Sequence, residues 1–402
     1  MRSPVPDIFQ LTTKFKKELS SELANIFNYW IDNTIDKVNG GFVGRIDQNN
    51  LVDFNSAKGS VLNARILWSF SAGFNLTKNG TYLTYADKAY QYLTDFFLDK
   101  KCGGVYWSVD NFGNPLDTKK QVYAIAFTIY GFAEYYKASS NETAKKTAIE
   151  LFESLVQYAY DTDKGGYLEA FAEDWKPIDD LRLSDKDANE KKTMNTHLHV
   201  LEAYSNLYSI WPNAKLRKQI ESLITDFLNH IISPDTGHLT LFFDEHWNKK
   251  SDTISFGHDI EASWLLLEAA ENINDVDLII EIKKLAVQMA KNCIQALDVD
   301  FGMWYEKEPA QCHWIKDKHW WVQAEAMVGL VNAWELSKDD KFLYYALNNW
   351  KFVQQNILDQ QYGEWHWGIN EQGKSMPLED KVGMWKCPYH NSRACMEIIR
   401  RL

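Results

Sequence analysis

The chain has 402 residues, of which 45% are hydrophobic and 24% charged, with a formal net charge of -12 and a pI near 5.4. That is enough apolar sequence for a large core, and the negative balance argues against a surface for a phosphate backbone, so no nucleic-acid partner is expected. No apolar run reaches the length needed to span a bilayer, so no membrane partner is expected either.

Five scattered cysteines (Cys102, Cys293, Cys312, Cys387 and Cys395) form no CxxC pair, which argues against a disulfide framework or a structural zinc. The opening stretch MRSPVPDIFQLTTKFKKEL holds no apolar segment of the kind a secretory signal needs. Asn-x-Ser/Thr triplets open at Asn75, Asn79 and Asn141, a pattern that chance also produces in cytosolic chains. A reduced, cytoplasmic setting is expected. Aromatic residues make up 14% of the chain, with 16 tryptophans. Such rings mostly fill cores, and they also stack on the apolar faces of sugars.

In chain order, apolar spacing predicts a first helix over about 9–32 and then a pair over about 60–72 and 82–97. Later pairs are expected at about 120–137 with 143–160, 190–209 with 214–232, 257–272 with 277–296, and 318–336 with 340–357, and a last helix follows His390. Between them a glycine-plus-aromatic signature recurs, as Asn39-Gly40-Gly41-Phe42, Cys102-Gly103-Gly104-Val105-Tyr106-Trp107 and Lys164-Gly165-Gly166-Tyr167-Leu168. It returns as Thr236-Gly237-His238-Leu239, Asp300-Phe301-Gly302-Met303-Trp304-Tyr305 and Gln361-Tyr362-Gly363-Glu364-Trp365. The glycines suit tight turns, and the alternation after them reads as short strand. Six such units, very roughly sixty to seventy residues apart, suggest a closed toroid of inner and outer helices in one domain spanning 1–402.

Each inner helix carries an unusual polar or aromatic group near its start: Arg65, Tyr123, Asn195 with His199, His258, Trp320 with Trp321, and His390. In a ring these positions converge on one mouth. An isolated polar residue on an apolar helix is an uncommon core choice, because burial without a partner costs about 1–3 kcal/mol. His258 falls in the first turn of its helix, and Glu261, three residues on, is expected to hold its imidazole. The helix N-terminus favours the neutral ring and the carboxylate the charged one, a balance suited to moving protons near neutral pH. The competing reading is a histidine that merely caps a buried helix. Asn195, His199 and Glu202 fall on one helical stripe, whereas His197 points elsewhere, so the His-x-His spacing does not suit a metal. His230, His238, His246, His313, His319 and His366 are expected to be surface or structural, and the Asp-rich stretch at 179–187 a solvated loop able to reach over the pocket.

Four blocks carry a resemblance: Asn195-Thr196-His197-Leu198-His199-Val200-Leu201-Glu202-Ala203-Tyr204, Gly257-His258-Asp259-Ile260-Glu261, Trp320-Trp321-Val322-Gln323-Ala324-Glu325-Ala326 and Pro388-Tyr389-His390-Asn391-Ser392-Arg393-Ala394. In this order they resemble the signature blocks of the N-acylglucosamine 2-epimerase superfamily, on the side of its cellobiose 2-epimerase branch, which Asn39-Gly40-Gly41-Phe42-Val43-Gly44-Arg45 also resembles. The resemblance implies an all-α fold, an (α/α)6 barrel with short β-hairpins in its loops. It also implies an isomerase with no metal or cofactor, which epimerises C2 of the reducing-end sugar of a β-1,4-linked disaccharide such as cellobiose or lactose. His258 and His390 match its acid/base pair, and Arg65, Tyr123, Asn195, His199, Glu261, Trp321 and Trp385 its substrate-binding positions. Ser392 stands where the family pattern often has glycine. A small oligosaccharide is the expected partner and a monomer the expected assembly.

The chemistry accounts for such a set. Ring opening places an aldehyde at C1, removal of the C2 hydrogen gives an enediolate, and inversion requires bases on opposite faces. An imidazole of ordinary pKa, about 6.5, needs strong stabilisation of the developing oxyanion, expected from Arg65 with His199 as a second donor. Trp321 and Trp385 would offer ring faces to the sugars, while Trp320 reads as core. The alternatives are a monosaccharide 2-epimerase, an aldose–ketose isomerase, a glycoside hydrolase on the same barrel (which needs two opposed carboxylates) and a non-catalytic sugar binder.

Overall fold

A computed structural model describes residues 7–402; the first six residues of the opening stretch lie outside the described part. Twelve helices alternate around a ring. The inner set is α2 (Ser60–Thr77), α4 (Val122–Ser139), α6 (Met194–Tyr208), α8 (Phe256–Asn272), α10 (Trp320–Ser337) and α12 (Tyr389–Arg401). The outer set is α1 (Ile8–Asn33), α3 (Gly80–Tyr92), α5 (Glu142–Tyr158), α7 (Ala214–Asp226), α9 (Val276–Cys293) and α11 (Asp340–Asn356). Each inner helix packs on the next, and α12 packs on α2, closing an (α/α)6 barrel.

Composition decides which helices go inside. On α4 every residue from Val122 to Tyr135 is buried, the pattern of a helix surrounded by protein. On α5 only Ala144, Ala148, Leu151, Phe152 and Leu155 are buried, a single stripe facing the inner ring. The side chains of Asn79 and Asn141 accept backbone N–H groups at the starts of α3 and α5, so two of the Asn-x-Thr triplets are helix caps. Two outer helices end differently from the sequence expectation: α3 and α7 widen into π turns at Leu93–Phe97 and Phe227–Ile231. In each turn the first and last residues are buried, and the added residue per turn brings both to the core.

The six glycine-aromatic signatures are six copies of one device. Isolated bridges pair Ile35 with Phe42, Leu98 with Val105, Tyr160 with Tyr167, Ile232 with Leu239, Leu297 with Met303 and Leu358 with Trp365. The glycines are needed where the chain turns back: Gly166 has φ +75°, and a Cβ there would lie 2.5 Å from the Trp247 ring. In five of the units a buried lysine reaches the aspartate that opens the turn, as Lys58 to Asp36, Lys120 to Asp99, Lys192 to Asp161, Lys318 to Asp298 and Lys381 to Asp359. The fourth unit instead pairs His238 with Asp259 of α8 at 2.6 Å, so His238 is structural as expected. The device also ties neighbours together. The first N–H of α2, α4, α6, α8 and α10 donates to the carbonyl just before a strand of the following unit, at Trp107, Glu169, Leu241, Tyr305 and Trp367. Five inner helices therefore start at the same end of the barrel. No helix among the described residues is long and apolar enough to cross a membrane.

Candidate active site

His258 is half-buried in the first turn of α8. Its Nδ1 lies 2.8 Å from the Ser255 hydroxyl, not against Glu261, which corrects the expected pairing. A helical side chain leans toward the helix N-terminus, so the first-turn imidazole projects out at the mouth while Glu261 stays below it. There Glu261 accepts a 2.5 Å hydrogen bond from Arg393. The Trp321 ring packs 4.7 Å from the His258 ring, and a Cβ at Gly257 would stand 2.5 Å from that tryptophan. The bare backbone of Gly257 is what admits the indole.

His390, second residue of α12, is buried with Nδ1 2.7 Å from Glu325 of α10. Since a carboxylate only accepts, the ring carries its hydrogen on Nδ1 and leaves Nε2 bare. Trp321 reaches this imidazole too, with ring centroids 5.7 Å apart. Both rings are held neutral at rest. Burial pushes His258 down to about 3, with His199 adding to the effect. Burial pushes His390 well below its ordinary value, aided by the Arg65 and Arg393 charges and by His199 and His258.

Below the imidazoles lies an ionic cluster that the sequence reading did not contain. Arg393, fully buried, donates to Glu202, Glu261, Glu325 and the Tyr389 hydroxyl. Glu202 also accepts from Tyr389 and holds Nδ1 of His199 at 2.8 Å. Burial alone would raise Glu202, but Arg393 and His199 outweigh it and bring it to about 2. In Glu261, burial and repulsion from Glu325 prevail over Arg393, and the carboxyl rises to about 7. Ligand atoms of Glu261, Glu325 and His390 lie within 4.8 Å of one another, yet the guanidinium already supplies the positive charge these carboxylates require. The available clue to Arg393 was a lone arginine one turn past His390, between Ser392 and Ala394 on a helix with Cys395 and Met396.

Arg65 behaves differently. Among the described residues it is the buried cation with no carboxylate in ion-pair range, whereas each buried lysine and Arg393 has one. Its guanidinium donates to the Tyr123 hydroxyl at 2.7 Å and lies 4.1 Å from the Phe127 ring centre, and its Nε has no partner. Such an orphaned charge is costly unless an anion arrives. Trp385 stands at the same wall, 6.0 Å from Tyr123 and 5.9 Å from Trp107.

Asn195, with a buried and unpartnered Oδ1, lines a cavity of about 320 Å³ with His258. Leu181, Arg182, Lys186 and Asp187 of the Asp-rich loop line it as well, so that loop does reach over the pocket. Two other expectations hold. His197 accepts from the Tyr167 N–H at 2.9 Å and serves the fold. Trp320 is buried against Trp367.

The family model described as N-acylglucosamine 2-epimerase (GlcNAc 2-epimerase) matches residues 40–394. The chain is 45% identical to a cellobiose 2-epimerase of Bacteroides fragilis, over 96% of this chain and 98% of that protein. It is 37% identical to a cellobiose 2-epimerase of Dictyoglomus turgidum, over the same shares of each. The solved cellobiose 2-epimerase of Bacillus thermoamylovorans superposes with a TM-score of 0.92 at 36% identity, covering 97% of this chain and 100% of that one. Spanning almost its whole length, these likenesses show that the chain belongs to the N-acylglucosamine 2-epimerase family.

Proposed function

We propose that this protein epimerises C2 of the reducing-end glucose or mannose of a β-1,4-linked disaccharide, as the names of its similar relatives indicate for them. The observation that carries the reading is the pair of imidazoles, half-buried His258 from α8 and buried His390 from α12, both packed on Trp321, with the unpaired Arg65 charge near enough to act on His390. Both rings are neutral in the free protein, so the C2 step uses one further proton taken from solvent as the sugar binds, which leaves one ring as imidazole and the other as imidazolium. The bare imidazole takes the C2 hydrogen, the C–H electron pair becomes part of the C1–C2 double bond, and O1 carries the negative charge. Arg65 is the group placed to meet that charge, with His199 as a second donor. The protonated imidazole then returns a hydrogen to the opposite face of C2. Burial of both rings makes each imidazolium a willing acid, and Trp321, Trp385, Tyr123 and Asn195 hold the sugar.

A glycoside hydrolase reading lacks support, because Glu202, Glu261 and Glu325 are engaged with Arg393 rather than facing each other across open space. Five free cysteines accord with a cytoplasmic setting, and we take the working form as a monomer acting without metal. Proton NMR of cellobiose incubated with the protein in deuterium oxide tests the reading. Glucosyl-mannose carrying deuterium at C2 is the expected product, and free glucose or a ketose would replace it with hydrolysis or isomerisation.

A further inference from the structure

Ser255 precedes α8 at its cap position, where a serine hydroxyl ordinarily accepts a backbone N–H of the first turn. It does not do so here. Thr193, at the equivalent place before α6, does cap, accepting from the Thr196 N–H at 3.1 Å. The Ser255 backbone is fixed by its strand pairing opposite Glu306, its side chain is 1% exposed, and among the described residues its hydroxyl has one partner, Nδ1 of His258 at 2.8 Å. The local sequence thus forgoes a helix cap to hold an imidazole.

The two imidazoles are backed by unlike groups. Glu325 only accepts, which fixes His390 with its hydrogen on Nδ1. A hydroxyl both donates and accepts and adds no charge. We propose that Ser255 is a positioning residue for the epimerisation, whose hydroxyl turns between donor and acceptor at Nδ1 and so lets His258 present Nε2 to the sugar either with or without its hydrogen. With the hydroxyl donating, Nε2–H is offered to a sugar oxygen during binding and ring opening. When solvent takes the hydrogen from Nε2 and returns one to Nδ1, the hydroxyl turns to accept it, and the bare Nε2 takes the C2 proton. The inference rests on the proposed role of His258 as one of the two proton-transfer groups. The charged and titratable groups that act on that ring or line its cavity are His199 from α6, His390 from α12, Tyr305, Glu306 and Glu308 at the paired strand, Arg182, Lys186 and Asp187 from the overlying loop, and Glu169 and Glu190 beside it.

The test compares wild type, Ser255→Ala and Ser255→Thr in cellobiose turnover across pH, with nitrogen-15 NMR of labelled histidine, the His258 signal being assigned by its loss in His258→Ala. Ser255→Ala is expected to lower kcat by about tenfold or more with little change in KM, to shift one limb of the pH profile, and to change the His258 tautomer seen in the nitrogen shifts. Ser255→Thr, which keeps the hydroxyl, is expected to restore most of the turnover and the wild-type shifts. A wild-type protein that leaves C2 of cellobiose unexchanged overturns the inference through the reading beneath it. An active wild type whose Ser255→Ala variant keeps its turnover, pH profile and nitrogen shifts overturns it alone, as does a loss confined to KM and thermal stability.

Discussion

Replacing Glu325 with glutamine removes one charge beneath His390 while keeping the shape of the side chain. When His390 takes a proton from C2, the carboxylate bound 2.7 Å from its Nδ1 stabilises the new imidazolium. With charge centres about 4 Å apart and an effective dielectric of about 20, the attraction is roughly 4 kcal/mol. Lost from the transition state alone, that is about a thousandfold in kcat. The amide keeps its oxygen where Arg393 and Nδ1 both meet Oε1, so the tautomer is retained and its NH2 faces the Trp264 N–H, a lost hydrogen bond on the far side of the group. Two neighbours soften the structural cost, since Arg393 retains Glu202 and Glu261 as partners. The assay is steady-state epimerisation of cellobiose, with solvent deuterium entering C2 as a direct measure of proton transfer and near-ultraviolet circular dichroism as a check on the fold. A folded Glu325→Gln enzyme with kcat within tenfold of wild type would refute the reasoning, because the carboxylate would then be serving only the Arg393 cluster.

His258→Ala and His390→Ala are each expected to abolish deuterium exchange at C2 with the thermal transition retained; substantial exchange in either removes that residue from proton transfer. Arg65→Lys keeps the charge and loses the planar guanidinium, one arm of which donates to Tyr123, so kcat should fall by about 10²–10³, and a change under tenfold would show that Arg65 does not meet the developing oxyanion. Lys120→Met strands the buried Asp99, and denaturant unfolding should report a loss of about 3–5 kcal/mol; a loss below about 1 kcal/mol would mean that the pair contributes nothing net. Stability should peak at mildly acidic pH. Burial tends to raise Asp36, Asp99, Asp161, Asp298 and Asp359, but lysine and backbone N–H groups hold them below their ordinary values, so their contribution is lost as pH falls below about 4. Burial raises Glu22 and Asp226 to about 7 and Glu169 to about 8, so these favour the fold at low pH and the advantage fades as pH rises through those values. Unfolding midpoints at pH 5.5 and 9 check the sign, a higher midpoint at pH 9 would contradict it, and Glu169→Gln should flatten the decline.

Sequence alone determined the repeat, the helices and one end of the barrel as the place to look. Apolar spacing is a local property, so six helical pairs and six glycine turns could be found without coordinates, and the inner helices were marked by the unusual polar or aromatic group each carries near its start. The stripe of Asn195, His199 and Glu202 was legible for the same reason, and His199 and Glu202 do bond. Only the closed ring decided which charge answers which. Glu325 meets His390 across 65 positions, and Arg393 meets Glu202, Glu261 and Glu325 across 191, 132 and 68. Glu261 was assigned to His258 because it was near in sequence, yet closure brought α12 against α10 and set a buried guanidinium beside it, and inside a low-dielectric core a full opposite charge outcompetes a neutral imidazole.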